Sequence, residues 1–281
     1  PAASADSYLQ FARGFDLNLI KGWYTQDNYW SREANCGSAT VRFALEHGGY
    51  WERLIDRPHR FGKMKARFAP GQSPKGYWWC PPCVDLFEVK ELWIVEGVFD
   101  CIALLHHDIA AVSAMSSAYF PFESLKELAR IRGGKLPTLV WALDNEPGAH
   151  RFTRKHTAMA RELGYRCEAA QIPQRDRKQD WNDLHQRWMF IEGTEKRADK
   201  VAYDIKEARY HGALLLAESA SEKGVLMYEW RERSEFHFGF ENRLYWFKMD
   251  LEKFNKAVQH LEDSERQEDQ LLNDKQRWEK A

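Results

Sequence analysis

Residues 91–148 read ELWIVEGVFDCIALLHHDIAAVSAMSSAYFPFESLKELARIRGGKLPTLVWALDNEPG, and their pattern decides the fold. A short apolar run, Leu92 to Val95, ends in Glu96-Gly97, and an apolar helical pattern follows from Phe99 to Leu105. A second run, Thr138 to Leu143, ends in Asp144-Asn145-Glu146. Both runs are short and rich in Val, Ile, Leu and Trp, as buried parallel strands are. In an open parallel sheet, ligands sit beyond the carboxyl ends of the strands. Glu96, Asp144 and Glu146 fall at such ends, and Asp100 lies about one helical turn past Glu96. Carboxylates converging on one sheet edge repel unless a positive charge sits among them. A hard divalent cation such as Mg2+, held by one or two carboxylates and by substrate phosphates, is the usual solution.

The flanking segments fit the same plan. Ala110 to Ala114 reads as a strand, followed by the small-residue loop Ser116-Ser117-Ala118. Glu123 to Ile131 is an amphipathic helix stopped by Gly133-Gly134. Pro147-Gly148 opens a helix to about Leu163, with Arg151, Arg154 and Lys155 in its first turns. Cations there oppose the helix dipole, which points to nearby phosphate or acid, or else to a solvated basic face. Cys167 to Ile172 is a further strand, and RDRKQDWNDLHQRW, residues 175–188, follows it.

Glu96-Gly97 at one strand end and Asp144-Asn145-Glu146 at another, 48 residues on, resemble the Toprim domain shared by DnaG-type primases, topoisomerases and some nucleases. The family pattern is a strand ending in Glu-Gly, then a strand ending in Asp-x-Asp. Asp100 stands where primases carry a further acid. Glu146 departs from the pattern: its extra methylene shifts the carboxylate, which puts metal preference in play. Asp180, Asn182, Asp183 and Leu184 resemble the acidic segment that closes primase Toprim domains. The resemblance implies a metal set of Asp144, Glu146, Asp180 and Glu96, and a catalytic set of Glu96, Asp100, Asp144 and Glu146. Asp183 could equally cap the helix that starts there. Lys178, with Arg175 and Arg177, would hold substrate phosphate. Mg2+ or Mn2+ is the implied cofactor, with Mn2+ favoured by the longer Glu146 arm.

Upstream, Tyr8, Leu9, Phe11 and Ala12 fit a short helix stopped near Gly14, and Phe15, Leu17 and Ile20 a second. Residues 25–38 read as a polar loop. Val41, Phe43 and Leu45 alternate as a strand, His47-Gly48-Gly49 turns, and Tyr50-Trp51 begins the return strand. Tyr8-Leu9, Arg13-Gly14 and Val41-Arg42-Phe43-Ala44-Leu45 resemble the subdomain that precedes Toprim in DnaG-type primases. Residues 53–75 then hold seven Lys and Arg against one Asp. Beside an acidic centre this stretch reads as nucleic-acid-binding, with a solvated loop as the alternative. Arg42, Arg60, Lys63, Lys65 and Arg67, together with Arg151 and Lys178, are the candidate nucleic-acid or nucleotide contacts. Cys80 and Cys83 have metal-ligand spacing, but a structural zinc needs about four ligands, so zinc is not expected.

The fold class expected is α/β: a Toprim-type parallel sheet flanked by helices, after a small α+β basic subdomain and before a small α+β C-terminal region. The expected segments are 1–88, 89–190 and 191–281. In the last, Ala198 to Ala217 reads as a helix. Val225 to Trp230, Phe236 to Phe240 and Leu244 to Phe247 read as strands, Leu251 to Leu261 as a helix, and the tail to 281 as a charged connector. Its aromatics read as sheet core, with a base platform as the alternative.

A formal net charge of −1 over 281 residues excludes a globally basic polymer binder, so any nucleic-acid contact is local. Five irregularly spaced cysteines fit reduced thiols and a cytoplasmic setting. No apolar run reaches the ~18 residues of a membrane span. The start PAASADSYLQ lacks a signal-peptide pattern and an initiator Met, which suits a fragment of a longer chain; the zinc module and helicase-contacting part that the resemblance implies are not evident, which suits a fragment or a mobile-element relative. The resemblance implies a DNA primase core that makes short RNA primers from ribonucleoside triphosphates on single-stranded DNA, with a replicative helicase as a further candidate partner and no membrane. A Toprim nuclease or a non-catalytic nucleic-acid-binding module are the alternatives. A topoisomerase would need gate domains for which the chain has no room.

Overall fold

In the computed structural model, which describes residues 4–173 and 178–248, the chain divides into two units, Pro1–Leu216 and Ala217–Ala281. Arg175, Arg177, the helix expected over Leu251 to Leu261 and the charged tail lie outside the described residues.

The first unit opens with a short helix α1, Ala5–Ser7, that continues into a π-helical turn, Tyr8–Ala12. An antiparallel sheet follows in the order β1 (Tyr24–Ser31), β2 (Cys36–Ala44), β3 (Tyr50–Leu54) and β4 (Ala66–Phe68). The loop expected over 25–38 is mostly strand. Its Asn and Asp disfavour a strand locally, but ladder pairing with β2, from Tyr24↔Phe43 to Ser31↔Cys36, overrides propensity. The second helix expected at Phe15 to Ile20 is instead a series of turns. Phe15 and Ile20 anchor those turns in the core.

The parallel sheet follows in the order β6 (Ala111–Ser113), β5 (Glu91–Val95), β7 (Thr138–Ala142) and β8 (Cys167–Ala169). Helices α2 (Val98–Leu105), α3 (Phe122–Arg132), α4 (Pro147–Glu162), α5 (Trp181–Met189) and α6 (Thr194–Leu216) complete the unit. Neighbouring side chains of the strands point to opposite faces. Trp93 of β5 therefore joins the core beneath the antiparallel sheet, α2 and α5. Trp141 of β7 joins the core beneath α3 and α4.

The first core is shared across the boundary expected at residue 88. Phe43 of β2 meets Trp51, Trp79 and Phe99 with ring centroids 6.1, 5.4 and 6.1 Å apart. Trp79 also pairs with Ser113 beyond the β6 edge. The Pro-bounded Cys80–Cys83 turn is thus pinned to the parallel sheet. The expected C-terminal region began at 191, whereas α6 packs on β8: Gln171 N–H donates to Ala208 O at 2.8 Å. A Cβ on Gly212 would lie 2.0 Å from Ala169 O, so only glycine permits this approach of helix to strand.

The second unit, as far as it is described, is a helix α7 (Ala220–Arg231) and a hairpin of β9 (Glu235–Phe240) and β10 (Arg243–Lys248). The strand expected at Val225 to Trp230 is helical. A short apolar run does not distinguish strand from helix by period alone. The deciding signal is upstream: Ser219 Oγ accepts from Glu222 N–H at 3.1 Å and caps the helix. Phe236, Phe238 and Tyr245 pair on one face of the hairpin, with Phe236–Phe247 centroids 4.9 Å apart. Leu244 and Trp246 are exposed.

Candidate active site

The carboxyl ends of β5 and β7, adjacent parallel strands in register Val95↔Ala142, deliver Glu96 and Asp144 to one edge. Gly97 then starts α2, which buries Asp100 within its first turn. A Cβ on Gly97 would sit 2.8 Å from Asp100 Oδ2, so the Glu-Gly pair leaves room for the carboxylate to fold back. On the other side, Trp181 Nε1–H donates to Ala142 O at 2.9 Å and its ring meets Trp93 edge-on at 5.4 Å. These contacts hold the start of α5 against the end of β7. Asn182 N–H then reaches Asp100 Oδ1 at 3.3 Å.

The electrostatics follow from this crowding. Burial and the nearby Asp144 push the Glu96 carboxyl up to about 7; Lys178 opposes the shift and Glu146 adds to it. Ser117 N–H donates to Glu96, yet Glu96 Oε2 is buried without a hydrogen-bond partner. Burial, then Asp180 and Asp144, hold Asp100 well above the usual carboxylate range. Lys178 Nζ lies 2.8 Å from Asp144 Oδ2 and 3.0 Å from Glu146 Oε2. Partial burial disfavours the Lys178 charge, but the two carboxylates outweigh it and its pKa is raised.

The sequence-predicted residues divide accordingly. Asp144 lies within electrostatic reach of Glu96, Asp100 and Asp180, Asp100 within reach of Glu96 and Asp180, and Glu146 joins through Lys178. Asp180, expected as a metal ligand, stands at the N-cap of α5. Its Oδ1 accepts from Asp183 N–H at 2.7 Å, and Asp183 Oδ2 accepts in return from Asp180 N–H at 3.3 Å. Burial raises its pKa, and the Asp183 N–H bond opposes that. Arg42 and Arg67, expected at nucleic acid, lie against Glu52. Arg42 Nε lies 2.7 Å from Glu52 Oε2 and Arg67 Nη1 3.6 Å from Glu52 Oε1, and the Glu52 side chain is 0 % exposed. Arg42 also pairs with Asp27. Arg60 donates to Gly37 O at 2.8 Å and Asp56 O at 3.1 Å, closing a turn. Lys63, Lys65 and Arg151 are exposed.

Arg13 escaped the sequence reading as a site residue. Its guanidinium donates to Asn182 Oδ1 at 3.1 Å and to Tyr8 Oη at 2.6 Å, and lies 4.6 Å from the Phe99 centroid. Asn182 Nδ2 donates back to Arg13 O at 2.9 Å. This clasp ties the N-terminal turn to the residue that holds Asp100. Its only sequence signal was the Arg13-Gly14 pair at the end of a helical start.

Among the described residues, no three His, Cys, Asp or Glu side chains are gathered closely enough to hold a metal ion. The donor chemistry nevertheless fits a hard divalent cation. The acids are all carboxylates, Glu96 Oε2 is an orphaned acceptor, and Lys178 already takes a cation's place between Asp144 and Glu146.

Residues 93–185 match the Toprim-like family. This segment carries the parallel sheet. Its α/β sheet of four parallel strands flanked by helices is the fold class the sequence implied. No curated protein matches the chain in sequence. Among solved structures, the RNA polymerase domain of Mycobacterium tuberculosis primase DnaG is 17% identical, with a TM-score of 0.41 over 77% of this chain and 71% of that one. The same domain in complex with a double-stranded DNA oligomer with a 6-nucleotide overhang is 16% identical, with a TM-score of 0.43 over 80% and 72%. The zinc-binding and RNA polymerase domains of the Aquifex aeolicus primase are 12% identical, with a TM-score of 0.39 over 83% and 62%. Among the described residues, no helix is long and apolar enough to cross a membrane.

Proposed function

We propose that this chain is the catalytic core of a DnaG-type primase, a nucleotidyltransferase that joins ribonucleotides into short RNA primers on single-stranded DNA. The observation that carries the reading is the meeting of Glu96 and Asp144 from adjacent strand ends, one with a buried, unpartnered oxygen and the other bound to a lysine, inside a Toprim-like domain.

Asp144 and Glu146, with Glu96 beside them, are the residues that would hold Mg2+ or Mn2+, whose charge would offset that of the triphosphate. Glu96, at the end of β5 beside Asp144, accepts the proton of the attacking hydroxyl as general base. Asp100 stands behind Glu96, its Oδ1 accepting from Asn182 N–H, and Arg13 holds Asn182 there. Lys178, 54 % exposed, exchanges its carboxylates for a phosphate oxygen as substrate enters. Lys63 and Lys65 meet the template backbone.

Incubation of the chain with single-stranded DNA, labelled ribonucleoside triphosphates and either Mg2+ or Mn2+ tests the reading. New labelled oligonucleotides, more abundant with Mn2+, are expected. Shortened template and no new strand would make the site a nuclease. Neither product would leave a binding module.

A further inference from the structure

A half-open cavity of about 180 Å3 enters the first unit between the hairpin turn at Leu45–Gly48 and the segment Gln72–Trp78, and Met115 completes its lining. Its walls are of two kinds. Tyr77 and His47, with ring centroids 3.8 Å apart, supply an aromatic wall, and Leu45 and Met115 are apolar. Gln72 and Ser73 add an amide and a hydroxyl, and Glu46 a carboxyl that burial favours in its neutral form. A flat guest with an apolar face and a polar edge matches such a lining. The volume is that of about six liquid water molecules. That is room for one planar heterocycle but not for a sugar and phosphates, which must lie outside.

The cavity is coupled to the acid centre through one loop. Met115 takes a left-handed backbone conformation, φ 67°, and its N–H donates to Ser113 Oγ at 3.1 Å. Ser113 Oγ donates in turn to Glu96 O at 3.0 Å. Two residues beyond Met115, Ser117 N–H donates to the Glu96 carboxylate. The same short segment therefore lines the cavity and holds the acid. On the facing wall, exposed Lys75 follows Pro74 of the lining, and its Nζ lies 5.9 Å from the ring centroid of Tyr119, two residues past Ser117. A cation thus stands next to the cavity lining and close to the loop that holds Glu96.

We infer that this cavity seats the nucleobase of a nucleoside triphosphate, whose phosphates run past Lys75 towards Glu96 and Asp144. The direction of the phosphates rests on the primase reading; the seat of the base does not. Tyr77 and His47 supply the stacking face, which accepts any base. Gln72, with both a donor and an acceptor, reads the edge and sets the preference among bases. An unpaired template base has the same chemistry, so the test separates the two sources.

Calorimetry on the full chain in Mn2+ with ATP, GTP, CTP, UTP and inorganic tripolyphosphate decides the matter. Tyr77→Ala is expected to weaken the nucleotides about tenfold, as loss of one stacking face does, and to leave tripolyphosphate binding unchanged. Gln72→Ala removes an exposed side chain that the fold does not need. It is expected to change the ranking of the four nucleotides, and it carries the test if Tyr77→Ala does not fold. The inference is overturned if both variants bind all four nucleotides as the unaltered chain does, or if the unaltered chain binds tripolyphosphate as tightly as any nucleotide. Loss of single-stranded DNA binding with nucleotide binding intact would give the cavity to the template and overturn it too. Selective loss of nucleotide binding, in a chain that makes no primers, would uphold the cavity and overturn the primase reading alone.

Discussion

The two sheets of the first unit treat charge in opposite ways. In the antiparallel sheet, Glu52 is fully buried and two arginines lie against it, so acid and base neutralise each other inside the protein. At the edge of the parallel sheet, half-buried Glu96 and buried Asp100 stand among acids that outweigh the one nearby cation, Lys178, and both carboxyls are pushed up in consequence. A compensated group stabilises the scaffold and has nothing left to offer a ligand. An uncompensated group costs the folded state free energy and is available for chemistry, which is why perturbed acids gather at functional sites. Lys178 marks the border: it compensates Asp144 and Glu146, yet it is more than half exposed and free to be displaced.

The contrast between the sheets breaks most visibly at Asp144. Asp144→Asn keeps the volume and removes the charge. Primer synthesis is expected to fall on the order of a hundredfold or more, the scale of losing one preorganised electrostatic group. Thermal unfolding should change little, and Mn2+ binding by calorimetry should disappear. Unchanged Mn2+ binding would take Asp144 out of the centre.

In the antiparallel sheet the same kind of change should act on stability instead. Arg42→Ala strips Glu52 of its 2.7 Å partner, and urea titration should register a loss of roughly 1–3 kcal/mol, the cost of a buried group left unsatisfied. Its effect on DNA affinity at high salt should be small. A variant as stable as the parent, but poor in DNA binding, would reverse the assignment of Arg42.

Lys63 and Lys65 offer a finer test, because they are exposed neighbours of the arginines that the fold consumes. Lys63→Ala with Lys65→Ala should leave stability alone. It should lower the salt slope of single-strand binding by about 0.7 for each phosphate no longer neutralised. An identical slope would return residues 53–75 to the standing of a solvated loop.

The parallel sheet should also show a pH dependence of stability, measured in EDTA. Glu96 is raised from 4.5 to about 7 in the folded chain, so within that window the folded chain keeps a proton that the unfolded chain has released. Stability therefore falls as pH rises from about 4.5 to 7 and levels off above. Asp100 is shifted in the same direction and adds to the slope. Glu96→Gln should flatten the part due to Glu96. A slope unaltered by that change would assign the whole dependence to Asp100 and other groups.

Much of this molecule was legible before any coordinates. The runs Leu92 to Val95 and Thr138 to Leu143, each ending in acid, announced parallel strands, and with them the edge on which Glu96, Asp100 and Asp144 meet. Local pattern was enough there because buried strands and strand-end acids are written in consecutive residues. It failed at Tyr24–Ser31, where a polar sequence became an edge strand by pairing with β2, and at Ala220–Arg231, where the cap at Ser219 outweighed an apolar run.

Composition and spacing determined which groups could carry charge and which strand ends would bear them. Only the tertiary structure decided how each charge is spent. The register Arg42↔Glu52↔Arg67 set two candidate DNA contacts on either side of a buried glutamate. The docking of Trp181 on Ala142 brought Asp180 to the head of a helix as its cap and Asn182 onto Asp100. Arg13 reaches Asn182 across 169 positions of sequence. The work done by a charge depends on what stands within a few ångströms of it, and residues far apart in the chain become such neighbours only when the core closes.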